Sequence, residues 1–222
     1  MNAELVVFDC DGVLADSEML YARIEIARIH EFGWQITAED HRQLFTGLPS
    51  AEIFRAVSNH TGKPVPPDFF DRLHADFSQA LETLSPVPGA VETVLGLSVP
   101  RAVASNSSAS GLARKLAACG LTGAFGDLVI SMDQVAAAKP APDIYLLAAE
   151  RACTPPAQAI AVEDSANGIR AARAAGMHVI GFTGGGHHGP DSAMQLLAAG
   201  AHETVASMPD LAMLLDQRTT RP

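Results

Sequence analysis

The stretch Leu5-Val6-Val7-Phe8 is apolar at every position. An unbroken run of that kind belongs to a strand buried on both faces, as in a parallel sheet. It ends abruptly in Asp9-Cys10-Asp11-Gly12. Past Asp16 the period changes: between Ser17 and Phe32, residues Leu20, Ile24, Ala27 and Ile29 recur at helical spacing, and the run stops at Gly33. Further helices are expected over 38–45, 51–61 and 67–84, with no strand pattern among them. From Pro86-Val87-Pro88-Gly89 onward, strands expected at 101–104, 127–131, 159–162 and 178–182, with a weaker one at 204–206, alternate with helices. Two of those helices end on Gly120 and Gly176, each followed by an apolar residue that can fold back onto the helix. The pattern predicts an α/β fold, a doubly wound parallel sheet, interrupted just after its first strand by an all-helical insert. The core domain is expected at 1–15 and 86–222 and the insert at 16–85.

Composition narrows the classes. A chain of 222 residues is long enough for one large core, or a core with a smaller appended domain. Its three cysteines, Cys10, Cys119 and Cys153, form no CxxC pair, so neither a disulfide framework nor a zinc ribbon is expected and a reducing cytoplasm fits. No basic segment leads into an apolar stretch at the N-terminus, and no window approaches a membrane span; neither a secretory signal nor a membrane partner is expected. The net charge of −10 comes without a Lys/Arg cluster, which argues against a nucleic-acid partner. An anionic small substrate would then need local positive potential, which a metal can provide. A monomer is expected, because no long coiled coil or exposed apolar stripe stands out.

Four polar clusters follow predicted strand ends, where ligands bind in open α/β sheets. The first is Asp9 and Asp11. Carboxylates at the end of a core strand need a cation, a proton or a polar ligand, although turn and helix-cap roles are the plain alternative. The second is Ser105-Asn106-Ser107-Ser108, where a hydroxyl and free backbone N–H groups could hold phosphate oxygens or where Ser105 or Ser107 could simply cap a helix. The third is Lys139, stiffened by Pro140 and Pro142; it is either aimed at a site or a surface lysine before a helix capped by Asp143. The fourth is Glu163-Asp164, again either a site or an N-cap. Two neighbouring strands that both end in acids would build an anionic pocket suited to Mg²⁺, a hard cation that takes a few carboxylate oxygens, keeps waters and accepts a phosphate oxygen. The pair His187-His188 in Gly184-Gly185-Gly186-His187-His188-Gly189 reads as a solvated loop, since neighbouring side chains are expected to point apart.

These four stretches, in this order, resemble the motifs of the haloacid dehalogenase superfamily of phosphohydrolases. The opening Phe8-Asp9-Cys10-Asp11-Gly12-Val13-Leu14-Ala15-Asp16-Ser17-Glu18 and the closing Val162-Glu163-Asp164-Ser165-Ala166-Asn167-Gly168 are similar to the branch containing β-phosphoglucomutase and phosphoglycolate phosphatase. The resemblance implies a central strand order 5-4-1-2-3 and an inserted helical cap that closes over the site. It implies a Mg²⁺-dependent phosphatase acting on a small phosphate monoester such as a sugar phosphate. In that assignment Asp9 is the nucleophile and forms an aspartyl-phosphate. Asp11 is the general acid and base, and Lys139 draws charge onto the phosphoryl oxygens. Asp9, the Asp11 carbonyl and Asp164 hold the metal, with Glu163 beside them. Ser105 and the Asn106 N–H bind phosphate. In the cap, Thr46 and Gly47 are substrate-contact candidates, and Arg23 and Lys63 are further anion contacts.

Three other readings are weighed. In the mutase, a histidine and an arginine of the cap hold a second phosphate; at the corresponding points this chain has Tyr21 and Ser50, which favours transfer to water. Dehalogenation is disfavoured by Asp11, since a haloacid dehalogenase has no second aspartate there. A non-catalytic phospho-binding or signalling module of the receiver type would share the acids, hydroxyl and lysine, but it places its phosphoacceptor after a later strand and carries no helical insert.

Overall fold

The computed structural model describes residues 2–45 and 48–219. Strand β1 (Leu5–Phe8) is followed by helices α1 (Ser17–Glu31), α2 (Ala38–Phe45), α3 (Ser50–Thr61) and α4 (Phe69–Ala80). Then α5 (Ala90–Gly96), β2 (Arg101–Ser105), α6 (Ala109–Ala118) and β3 (Val129–Ser131) follow. The chain ends through α7 (Asp143–Arg151), β4 (Ala159–Glu163), α8 (Ala166–Ala174), β5 (His178–Phe182), α9 (Ser192–Ala199), β6 (Glu203–Val205) and α10 (Met208–Thr219). It divides into two compact units, one of Met1–Asp16 and Leu84–Pro222, the other of Ser17–Thr83.

The first unit is built on a six-stranded sheet in the order β3-β2-β1-β4-β5-β6, every pair parallel. All four residues of β1 are fully buried, as its unbroken apolar run requires. Leu5 and Val7 of β1 join Ala102, Ala104, Ile130, Ala159, Ala161 and Val179 in one core, packed against Ile144, Tyr145 and Ala148 of α7 and Ile169 of α8. Small alanines on the central strands let these helices approach the sheet closely. The winding reverses between β1 and β4, so the carboxyl ends of these adjacent strands flank the crevice where ligands bind in such sheets.

Among its described residues the second unit carries helices and connecting turns but no strand. Its core joins Ile29 of α1 with Phe45, Ile53, Phe54, Val57, Phe69 and Leu73. The rings of Phe54 and Phe69 lie 4.4 Å apart, centroid to centroid. Glu25 sits inside this unit, accepting hydrogen bonds from His41 Nε2 at 2.9 Å and Ser50 Oγ at 2.6 Å. The two chain passages bounding the insert run side by side in the first unit, with Val87 N–H donating to Leu14 C=O and Asp16 N–H to Ser85 C=O.

Candidate active site

Register sets the site. Phe8 lies opposite Val103 of β2 and Val162 of β4, and Asp9 N–H extends the ladder by donating to Val162 C=O at 2.9 Å. Asp9, Ser105 and Glu163 therefore leave the same edge of the sheet on three adjacent strands. Beyond Asp9 the chain turns through Gly12, whose φ of +76° is open to glycine at little cost. A Cβ at this position would also overlap Asp164 Oδ2, so Gly12 lets the two motif loops close on each other.

Lys139 ties the strands together. Its buried ammonium donates to Asp9 Oδ1 and Glu163 Oε1, both at 2.6 Å, and to Ala104 C=O at 2.9 Å. The Lys139–Pro140 peptide bond is cis. Asn106 clamps the lysine's backbone, its Oδ1 accepting from Lys139 N–H at 2.9 Å and its Nδ2 donating to Lys139 C=O at 3.2 Å. The Asn106 side chain thus positions the lysine loop, a role separate from the phosphate contact expected of its backbone N–H. Burial works against the charged form of Lys139, but the charges of Asp9 and Glu163 outweigh it and hold the ammonium well above its ordinary range.

Glu163, fully buried, has donors on both oxygens: Lys139 and the Tyr145 hydroxyl on Oε1, the Ser165 N–H and hydroxyl on Oε2. It anchors the lysine, while also bringing an oxygen close to the other acids. Asp9, Glu163 and Asp164 each present a carboxylate oxygen within 4.8 Å of the others. Asp9 is pushed well above the usual carboxylate range, first by burial and then by Glu163, Asp164 and Asp11, against the opposing pull of Lys139. One ammonium therefore does not offset the negative charge gathered here. Three hard oxygen donors with excess charge fit a small divalent cation such as Mg²⁺.

Asp11 lies on the β2 side. Its Oδ2 accepts from Ser105 Oγ at 3.3 Å and Ser107 Oγ at 3.2 Å, and its Oδ1 is paired with Lys115 of α6. Lys115 escaped the sequence reading, although a signal was there. Leu112, Lys115, Leu116 and Cys119 fall on one helical stripe, all four are buried, and a lysine on such a stripe needs an anion.

The capping alternatives resolve onto other residues. Ser108 caps α6, accepting from Gly111 N–H at 3.2 Å, which relieves Ser105 and Ser107 of that task. Ser165 caps α8, accepting from Gly168 N–H at 3.1 Å, so neither Glu163 nor Asp164 does so. Asp143 is the first residue of α7 and not its cap. One expectation is overturned. The rings of His187 and His188 do not point apart; their centroids are 3.9 Å apart, with His187 Nε2 at 3.2 Å and His188 Nε2 at 3.9 Å from Asp164 Oδ2. The successive glycines before them let the loop fold back onto the site. Thr46 and Gly47 lie outside the described residues. Arg23 is exposed and, with Arg28, Leu20 and Asp76, lines a cavity of about 480 Å³ in the helical unit; Lys63 is exposed in the same unit.

The parallel sheet, with its reversal beside a buried lysine and a carboxylate cluster, defines a doubly wound α/β protein with a candidate catalytic site. Comparison with known proteins supplies the family. The haloacid dehalogenase-like hydrolase family model matches residues 6–182, so the chain belongs to that family. It is 32% identical over 195 residues to protein CbbY of Cereibacter sphaeroides, covering 80% of this chain and 83% of that one. It is also 32% identical over 203 residues to the phosphorylated carbohydrates phosphatase of Thermotoga maritima, covering 89% and 92%. A solved haloacid dehalogenase-like protein from Agrobacterium tumefaciens C58 superposes with a TM-score of 0.90 at 35% identity, covering 99% of this chain and all of its own. The chain is a phosphoric monoester hydrolase of this family.

Proposed function

We propose that the chain is a Mg²⁺-dependent phosphatase that hydrolyses a small phosphate monoester, a sugar phosphate or similar metabolite, through an aspartyl-phosphate on Asp9. The observation that carries this reading is the buried Asp9–Lys139–Glu163 chain beside Asp164, at the ends of adjacent strands β1 and β4. The Thermotoga maritima relative, a phosphatase of phosphorylated carbohydrates, supports the substrate class.

Asp9 attacks phosphorus, forming one P–O bond as the ester P–O bond breaks, and Asp11 gives its proton to the departing alkoxide. Water then attacks the same phosphorus as Asp11 takes a proton from it, releasing phosphate and restoring Asp9. The chief barrier is repulsion between anions. Lys139, fixed by Glu163 and by Asn106, opposes it from a preorganised position. Ser105 and the N–H groups of its loop bind the phosphoryl oxygens. Asp9, Asp164 and the Asp11 carbonyl would hold Mg²⁺, with Glu163 adjoining, and the ion would supply positive charge to the phosphoryl oxygens. Ser50, where the resemblance places the mutase's arginine, has its hydroxyl bonded to Glu25, which supports water as the acceptor.

The test is Mg²⁺-dependent phosphate release from p-nitrophenyl phosphate and from a panel of sugar phosphates ranked by kcat/KM. Asp9→Asn is expected to abolish turnover with the fold intact. A variant retaining the parent kcat would remove Asp9 as nucleophile. In Asp11→Asn the aspartyl-phosphate should form slowly and persist; normal hydrolysis in a single turnover would remove Asp11 from its role.

A further inference from the structure

Asp9 and Asp11 each have a lysine of their own. Lys139 serves Asp9, and Lys115, whose side chain is 6% exposed, reaches Asp11 from the second turn of α6. Its Nζ is paired with Asp11 Oδ1 and donates to Ser107 Oγ at 2.9 Å, while Ser107 Oγ also bonds Asp11 Oδ2. Ser105, itself fixed by accepting from Ser107 N–H at 3.1 Å, completes the set. The Asp11 carboxylate is thereby held on both oxygens from one side, yet 23% of its side chain remains exposed. It is anchored and still accessible.

We propose that Lys115 is a positioning residue for proton transfer: paired with Oδ1, it fixes the Asp11 carboxyl beside Ser105, so that Oδ2 carries the proton given to the leaving oxygen and takes back the one that water later gives up. The proposal rests on the phosphatase reading and adds to it a residue in no motif of the site. A lysine is suited to this task because its long stem lies on the buried α6 face that also carries Leu112 and Leu116, while its compact charge reaches the carboxylate. Displacing a reacting group by about 1 Å can cost on the order of 10²-fold in rate, so the anchor acts on chemistry without touching substrate.

The consequence depends on the leaving group. An alkyl phosphate needs its departing oxygen protonated, whereas the nitrophenolate of p-nitrophenyl phosphate departs without that help. In the full-length protein with Mg²⁺, Lys115→Met should lower kcat/KM for a hexose phosphate by on the order of 10²-fold and for p-nitrophenyl phosphate by less than about 3-fold. Lys115→Arg should restore part of the difference, and Lys115→Met should add little in an Asp11→Asn background. Should Lys115→Met fail to fold, Ser107→Ala carries the test, with the same selective loss in smaller measure. Equal losses on both esters, no loss on either, or full additivity with Asp11→Asn would overturn the proposal. If the parent protein hydrolyses neither ester, it is the phosphatase reading that fails; if the parent hydrolyses both and the split is absent, only the role of Lys115 falls.

Discussion

Gly168, in the first turn of α8, lies directly against the Glu163 carboxylate: a Cβ at that position would fall 1.8 and 2.1 Å from the two carboxylate oxygens, well short of van der Waals contact distance. The clash would be cheap if Glu163 could swing away. It cannot, because it is fully buried and bonded to Lys139, Tyr145 and Ser165. Gly168→Ala should therefore displace the anchor of Lys139, costing about 1–3 kcal/mol of stability and lowering kcat. Urea unfolding together with phosphate release measures both effects, and an active variant of parental stability would show that Glu163 is free to move.

Removal of the lysine itself separates charge from packing. Lys139→Met keeps the stem and deletes the ammonium, leaving Asp9 and Glu163 without their shared cation. Loss of one partner from a buried pair costs about 3–5 kcal/mol. Loss of a preorganised donor at the phosphoryl group costs about 10²–10³-fold in kcat. Saturating Mg²⁺ should recover part of the stability and little of the rate, as read from thermal unfolding and steady-state kinetics.

Metal removal gives a readout that does not depend on turnover. The Asp9, Glu163 and Asp164 oxygens are brought together only in the folded chain, so Mg²⁺ held there should raise Tm in a concentration-dependent way. At a hundred times the dissociation constant the gain is about 2.7 kcal/mol. EDTA should abolish phosphate release and return Tm to its lower value. Asp164→Asn should retain the fold but lose most of the Mg²⁺-induced rise; an undiminished rise would place the ion elsewhere.

Much of this was legible in the sequence because its cause is local. The apolar run of β1, the alternation after Pro86 and the acids at strand ends each follow from neighbouring residues, and the six strands appear where the pattern puts them, with β3 starting two residues later than expected. What the pattern missed depends on partners distant along the chain. The apolar positions of α1 predicted the helix but not its buried face. Ala27 is exposed and Glu25 is buried, because His41 and Ser50 arrive from α2 and α3 to meet it. The same holds for Tyr145, whose hydroxyl finds Glu163 across the core, and for His187 and His188, whose loop returns to Asp164. Lys115 was readable as a charge on an apolar stripe, but its partner, 104 residues earlier, was not.

The Glu25 cluster makes its own prediction about the helical unit. Glu25→Ala would leave the 7%-exposed His41 and the Ser50 hydroxyl without their acceptor. Stranding buried donors in this way costs about 1–3 kcal/mol. Ser50→Ala removes a single bond and should cost about 0.5–1.5 kcal/mol. The two losses should be less than additive, since both act through one carboxylate. Differential scanning calorimetry of the single and double variants decides it, and simple additivity would mean that Glu25 does not link the three helices.

The start of α2 sets a pH dependence whose sign can be worked out. Thr37 and Asp40 form a reciprocal cap: Asp40 N–H donates to Thr37 Oγ1 at 3.1 Å, and Thr37 N–H donates to Asp40 Oδ2 at 2.8 Å. The Thr37 backbone and hydroxyl donors hold the Asp40 carboxyl below its ordinary value. A carboxyl lowered on folding stabilises the native state above the unfolded value of about 3.9 and loses that contribution as pH falls through the lower folded value. Asp40→Asn, which keeps the shape and removes the charge, should melt below the parent near neutral pH. The gap should close as both are taken to acid pH below the folded value. Thermal unfolding of the two proteins across that range checks the sign, and a gap that widened toward low pH would show that the charge on Asp40 is not what stabilises this helix start.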